Sequence, residues 1–210
     1  MGIFFRRKTV SVQTIRRLPQ YLRILKQWHT YGREMASSTE LSGQTHLPVI
    51  VVKKDLQAVQ APSKRRAGFL VQGTIKAIEK FLGWNNLSKA FLVGAGHLGG
   101  ALLGFDGLKQ HGLEIVAAFD TNAKRVGTEI HGVPVYHTTQ LKTLIEEKGL
   151  KIAVLTVPST AAQGITDTLV ACGIKAIWNF APVQLVVPPG VVVQQEDIAA
   201  GLAELCSKLQ

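Results

Sequence analysis

The apolar positions change rhythm partway along the chain, from the three-to-four spacing of helices to short, nearly continuous runs. In the first part, Leu22, Leu25 and Trp28 lie close to helical spacing after Pro19, and Gly32 offers a stop, so a helix is predicted between them. Ser37 and Ser38 stand before Glu40 near capping-box spacing, which predicts a short second helix. A later helix is predicted over VQGTIKAIEKFLGW, with Ile75, Ile78, Phe81 and Leu82 on one face and Gly83 at its end. Between these lies LPVIVVKKDLQ, Leu47 to Gln57, where the pattern is ambiguous. Its β-branched run, Val49 to Val52, has the propensity of a buried strand. The same run, with Lys53-Lys54-Asp55 behind it, also suits a core helix or a helix that meets nucleic acid.

QAPSKRRAGF follows as a basic, breaker-rich loop. With the ambiguous segment taken as a helix, the order is three helices and then the basic loop. That is the order of a winged helix-turn-helix, whose third helix enters the major groove while the loop lies along the backbone.

From Lys89 onward, strands are predicted at KAFLVG, EIVAAFD, VPVYH, KIAVLTV, IKAIWNF and GVVVQQ. Helical patterns lie between them at about 97–111, 138–148 and 159–173. Apolar strands separated by helices indicate a parallel sheet covered on both faces. A terminal amphipathic helix, EDIAAGLAELCSKL, carries Ile198, Leu202, Leu205 and Leu209 on one stripe and is expected to pack outside its own sheet. The predicted organisation is a mainly α winged helix-turn-helix over 1–86, an α/β Rossmann domain over 87–192 and a C-terminal helix over 193–210.

Gly94-x-Gly96-x-x-Gly99 follows the first of these strands and opens a helix. In a dinucleotide site the first glycine permits the tight turn, the second lets the backbone approach a pyrophosphate, and the third lets helix and strand pack closely. The helix N-terminus adds partial positive charge. Asp120 ends the second strand 21 residues after Gly99, where a carboxylate accepts hydrogen bonds from a ribose 2′-hydroxyl. It would repel a 2′-phosphate, so NAD(H) is favoured, and Lys124 and Arg125 read as solvated helix charges. TVPS, Thr156 to Ser159, and NFAP, Asn179 to Pro182, end the fourth and fifth strands at the carboxyl edge, where open α/β sheets bind ligands. They offer amides, a hydroxyl and a ring but no proton-transfer group, His97 reads as loop-shaping, and His131 and His137 as surface. An enzyme would need an acid or base and a substrate domain, so the site is expected to bind rather than to turn over.

Charge sharpens the division. Residues 1–88 hold 15 basic against 4 acidic residues, while residues 89–210 hold 9 against 10. One half therefore carries the whole excess, as expected of a module that meets a polyanion joined to one that does not. Cys172 and Cys206 are too few for a disulfide framework or a zinc site, and no apolar run reaches the roughly 18 residues of a membrane span. MGIFFRRKTV lacks the apolar run of a signal peptide, so a cytoplasmic protein without metal is expected.

RRLPQYLRIL, SSTEL, KKDL, GAGHLGGALL, VAAFD, GVPVYH, LTVPSTAAQ, GIKAIWNFAPV and VPPGV, in this order, resemble the Rex family of bacterial redox-sensing transcriptional repressors from about Thr14 to Leu209. Parts of the second half also resemble CoA-binding domains. The Rex resemblance implies a homodimer that exchanges its C-terminal helices, holds operator DNA when NADH is low and is released by NADH. It makes LPVIVVKKDLQ a helix. It implies an NAD(H) site formed by Gly94, Ala95, Gly96, His97, Leu98, Gly99 and Asp120, with Thr156, Val157, Pro158, Phe180, Ala181 and Pro182 flanking the rest of the cofactor. It places DNA contacts at Arg16, Arg17, Val49, Val51, Lys53, Lys54, Lys64, Arg65 and Arg66, and a switch between states at Arg23, Phe105 and Asp197.

The chain departs from the family pattern where DNA is read. Val49 to Val51 replace polar or small reading positions, Gln60, Ser63 and Arg66 stand at glycine positions of the wing, and Phe69 and Phe105 each replace a tyrosine. Two functions therefore remain open at this level: an NADH-sensing repressor, or an NAD(H)-binding dimer that has lost operator recognition and acts through a protein partner.

Overall fold

The computed structural model describes residues 10–64 and 67–209, so the predicted DNA contacts Arg65 and Arg66 lie outside the described residues. The chain divides into two compact units between Asn86 and Leu87.

The first unit runs α1 (Val12–Thr30), β1 (Met35–Ala36), α2 (Ser38–Thr45), α3 (Val49–Ala58), β2 (Ser63–Lys64), β3 (Gly68–Leu70) and α4 (Val71–Leu82). The predicted first helix begins earlier than its pattern suggested, at Ser11, whose hydroxyl accepts the Thr14 N–H, and it runs through Pro19. Proline removes the hydrogen bond to the carbonyl of residue 15, and Ile15 is exposed, so water can serve that carbonyl. α2 starts with the predicted capping box: Ser37 accepts the Glu40 N–H, and Glu40 accepts the Ser37 N–H.

LPVIVVKKDLQ resolves as helix α3. β-branched residues cost up to about 0.7 kcal/mol each in a helix. Helical spacing, however, brings Val52 and Leu56 together into a core with Leu18, Tyr21, Leu22 and Leu25 of α1 and Val71, Ile75 and Ile78 of α4. Burial of such side chains stabilises by about 1.5–3 kcal/mol each, so packing outweighs propensity. α3 ends in a Schellman motif, with the Ala61 N–H on the Leu56 carbonyl at 2.9 Å and Gln60 at φ 57° where glycine is usual. In the basic segment β2 and β3 pair antiparallel, and β1 pairs with the other side of β3. Gly68, at φ 93°, lies so close to the Ala36 carbonyl that a methyl group there would sit 2.4 Å from its oxygen.

The second unit runs β4 (Ser88–Val93), α5 (His97–Leu103), α6 (Gly107–Gln110), β5 (Leu113–Asp120), β6 (Glu129–Ile130), β7 (Val133–His137), α7 (Leu141–Lys148), β8 (Ile152–Leu155), α8 (Ser159–Ala171), β9 (Ala176–Asn179), β10 (Val192–Gln195) and α9 (Ile198–Ser207). Its sheet has the order β10-β9-β8-β4-β5-β7-β6, parallel apart from the β6–β7 pair. This is the doubly wound order whose reversal lies between β4 and β8, so a crevice opens at their carboxyl ends. Phe91, Phe119, Leu155 and Ile177 form the core on the face covered by α7 and α8, through Leu141, Ile145, Ala162 and Leu169. Leu92, Ala118 and Val154 pack on the opposite face with Leu102, Leu103 and Leu108 of α5 and α6. The helix predicted at 97–111 is broken at Gly104–Asp106, where the His131 ring lies against Gly104, leaving no room for a Cβ. α9 is capped by Asp197, which accepts the Ala199 and Ala200 N–H groups, and it leaves Leu202 and Leu205 exposed.

Candidate functional site

The crevice beside β4 is a cleft of about 520 Å³. Its floor is built by glycines under steric constraint. Gly94, at φ 100°, donates its N–H to the Phe119 carbonyl at 2.8 Å, and a Cβ there would meet the Thr156 carbonyl oxygen at 2.7 Å. A Cβ on Gly99 would lie 2.0 Å from the Gly94 carbonyl oxygen, so α5 can approach β4 this closely only with glycine at that position. Gly96 differs: nothing lies within 4 Å of where its Cβ would be. That space lets another molecule reach the backbone, which is what a pyrophosphate at a helix N-terminus requires. Thr156 locks the turn by donating its hydroxyl to the Gly94 carbonyl at 2.7 Å.

At the other end of the cleft, Asp120 is 8% exposed. Its Oδ1 accepts the Asn122 N–H at 2.8 Å, and its Oδ2 accepts from Arg125 at 3.3 Å. Each carboxylate oxygen keeps a lone pair for ribose hydroxyls. Arg125 is therefore not a solvated helix charge. It lies in an irregular turn, pairs with Asp120 and lines the cleft, whereas Lys124 is exposed. The residues present fit a dinucleotide: an open backbone at Gly96, a carboxylate at the end of β5 and an aromatic ring, Phe180, at the end of β9.

Gly94, Gly96, Leu98, Asp120, Thr156, Val157, Pro158 and Phe180 of the predicted set line this cleft. Ala95 and Ala181 are buried beneath it, so only their backbone can serve a ligand, and Gly99 acts through packing. His97 and Pro182 are exposed. The cleft is also lined by Asn122 and Arg125, on turns, and by Thr138, which opens a single 3-10 turn, none of them part of a sequence fingerprint. The Phe180–Pro182 loop is held by Asn179, fully buried, which donates to the Val183 carbonyl at 2.9 Å and accepts the Ala181 N–H at 3.0 Å. Phe105, expected at the switch, is exposed with its ring over Gly107.

In the first unit the exposed stripe of α3 is Ile50, Lys53, Lys54 and Gln57, while Val49 and Val51 are half-buried. Ile50 is 58% exposed, so it takes the outward place assigned to Val49 and Val51. The spacing i, i+3, i+4, i+7 with the buried Val52 and Leu56 would have identified it. Asp55, on the opposite side of α3, is almost fully buried. Its carboxylate accepts from Arg17 Nε at 2.6 Å and Nη2 at 2.9 Å, from the Tyr21 hydroxyl at 2.8 Å and from the Thr14 hydroxyl at 2.9 Å. Burial pushes its pKa up, but the donors from Arg17, Tyr21 and Thr14 prevail and hold it below the usual carboxylate value. Arg17, expected on DNA, is thus drawn inward as a bidentate partner that fixes α3 against α1. Arg16, Arg23, Lys53, Lys54 and Lys64 are exposed. Among the described residues, no group of three metal-ligating side chains is found, and no helix is long and apolar enough to cross a membrane.

Two family models match in tandem: "Putative DNA-binding protein N-terminus" over residues 9–57 and "CoA binding domain" over residues 85–183. The redox-sensing transcriptional repressor Rex of Treponema denticola is 44% identical over 95% of this chain and 95% of its own length. Its counterpart in Bacteroides fragilis is 45% identical over 95% of this chain and 91% of its own length. Among solved structures, RSP, a Rex-family repressor, in complex with NAD⁺ and operator DNA superposes with a TM-score of 0.90, at 30% identity over 96% of this chain and 93% of that one. RSP in complex with NADH gives 0.86, at 30% identity over 96% and 95%. A glycine-floored cleft ending in Asp120, a basic unit of four helices with a small antiparallel sheet and relatives matching along almost the whole length agree: the chain belongs to the Rex family of redox-sensing transcriptional repressors.

Proposed function

We propose that this protein is a transcriptional repressor sensing the NADH/NAD⁺ balance, bound to operator DNA when NADH is low and released by NADH. The observation that carries this reading is the presence, in one chain, of the Gly94–Gly99 cleft closed by Asp120 and a reading helix exposing Lys53 and Lys54. The RSP complexes support it.

The bound dinucleotide supplies a pyrophosphate and a nicotinamide ring whose charge differs between its two redox forms. The backbone at Gly96 receives the pyrophosphate, Asp120 accepts from the adenosine ribose, and Thr156 to Pro158 with Phe180 to Pro182 flank the nicotinamide end. The cleft serves binding rather than turnover. Its Asp120 carboxylate is paired with Arg125 and its Thr156 hydroxyl is committed to Gly94, and the described residues that line it include no imidazole or amine.

The acting species is a cytoplasmic homodimer that exchanges α9, whose Leu202 and Leu205, with Leu209 just beyond its end, need a partner's surface to leave water. Two reading helices then address two half-sites, and a dimer geometry favoured by NADH sets them out of register. Arg16, Lys53, Lys54 and Lys64, with Arg65 and Arg66, contact the duplex. Arg23, Phe105 and Asp197 form the interdomain switch, in which Phe105 acts by packing because it has no hydroxyl.

The test is selection of duplexes from a random pool with NAD⁺ present, followed by elution with NADH. One palindromic sequence in the NADH eluate is expected. Unrelated sequences that leave equally with salt would refute the reading.

A further inference from the structure

We infer that Ile50 reads the 5-methyl group of a thymine in each operator half-site, an inference that rests on the repressor reading above. Ile50 is 58% exposed in the first turn of α3, and Lys53, Lys54 and Gln57 continue the same stripe. Val49 and Val51 are half-buried beside it and Val52 is wholly buried, so Ile50 is the apolar side chain this helix projects furthest outward. N-terminal residues of a reading helix are those that meet base edges. In the major groove the thymine methyl is the one projecting apolar group on a base edge, cytosine offering only a C–H there and the other edge groups being hydrogen-bond donors or acceptors. An isoleucine has neither donor nor acceptor, so opposite a purine it would leave polar edges without partners and opposite cytosine it would find no methyl, whereas opposite thymine two apolar groups leave water together.

The position is fixed rather than adaptable. Asp55, one turn further along α3 and facing inward, is clamped by Arg17, Tyr21 and Thr14 of α1, which sets both the rotation and the depth of the helix. The surroundings favour nucleic acid over a protein partner. A docking protein needs a contiguous apolar patch, and this stripe passes from one isoleucine directly to two lysines. Those lysines suit phosphates or guanine on either side of the methyl contact.

The experiment uses the full-length protein and the operator obtained by selection. Each thymine is replaced in turn, symmetrically in both half-sites, by deoxyuridine, which removes the methyl and keeps base pairing. Affinities are measured by fluorescence anisotropy for the native protein and for Ile50→Ala. One thymine position is expected at which the native protein loses about four-fold per half-site, the value of one buried methyl group. Ile50→Ala should bind the thymine and uracil duplexes at that position alike while still being released by NADH. Uniform tolerance of uracil by the native protein, or sensitivity retained in Ile50→Ala, would overturn the inference and leave the repressor reading standing. Failure of the selection to yield any common sequence would defeat both, and that outcome is visible before any uracil is introduced.

Discussion

Two single residues expose how little slack the fold allows. Gly99 has the Gly94 carbonyl where a side chain would begin, with 2.0 Å between that oxygen and the place a Cβ would take. Gly99→Ala should therefore push α5 away from β4 and widen the dinucleotide cleft, at about 1–3 kcal/mol of overpacking. An increase of about ten-fold or more in the NADH dissociation constant is expected by fluorescence titration, and unchanged binding would show that the cleft does not depend on this contact. Thr74 presents the opposite case. It is fully buried in α4, and its hydroxyl is the buried side-chain oxygen without a hydrogen-bond partner among the described residues. Thr74→Val keeps the shape and removes an unsatisfied polar group, whose burial costs about 1–3 kcal/mol. The urea midpoint of the first unit should rise by the equivalent of about 1 kcal/mol. A lower midpoint would mean that the hydroxyl has a role that the geometry does not reveal.

At the scale of elements, capping chemistry was readable in the sequence and packing chemistry was not. The Ser37–Glu40 spacing announced α2, and the alternation after Lys89 announced the strands of the Rossmann sheet, because both signals are local. Residues 12–19 of α1 were not seen, since Pro19 reads as a boundary and only the surrounding core keeps the helix continuous through it. α3 was strand-like by propensity, and the contacts of Val52, Leu56 and Asp55 with α1 override it. In the candidate site, Gly94, Gly96 and Asp120 were legible from their spacing. Arg125 was not, because an ion pair across a turn is a property of the folded chain, whereas the outward place of Ile50 follows from helical spacing once α3 is known to be a helix. The capping box also predicts a pH response. Hydrogen bonds from the Ser37 hydroxyl and backbone N–H, and then from Arg33, lower the Glu40 pKa from its usual 4.5 to about 2. A carboxylate with a depressed folded-state pKa stabilises fully above its unfolded value and loses that contribution as pH falls through the folded value. The stability difference between the native protein and Glu40→Ala should thus be constant above about pH 5 and shrink as pH falls toward 2. A difference that persists unchanged through this window in urea titrations would show that Glu40 acts by packing, not by charge.

Across the whole molecule, charge separates the two binding functions. Residues 1–88 carry a net +11 and residues 89–210 a net −1, so a polyanion and a dinucleotide are recognised by halves of very different electrostatic character. A dimer presenting Arg16, Lys53, Lys54 and Lys64 twice would neutralise several phosphates and release their counterions. Its duplex affinity should then fall by about 10³-fold or more between 50 and 200 mM salt. On the proposed reading the dinucleotide pyrophosphate instead meets the backbone at Gly96, in the half without excess charge, so its affinity should change by no more than about three-fold over the same range. Anisotropy of a labelled duplex and NADH fluorescence, recorded on one preparation, measure both slopes. A cofactor slope that parallels the DNA slope would mean that basic side chains, not the backbone at Gly96, hold the pyrophosphate. A flat DNA slope would mean that the lysines of α3 do not meet phosphates, leaving Ile50 without the electrostatic hold that brings it to a base edge.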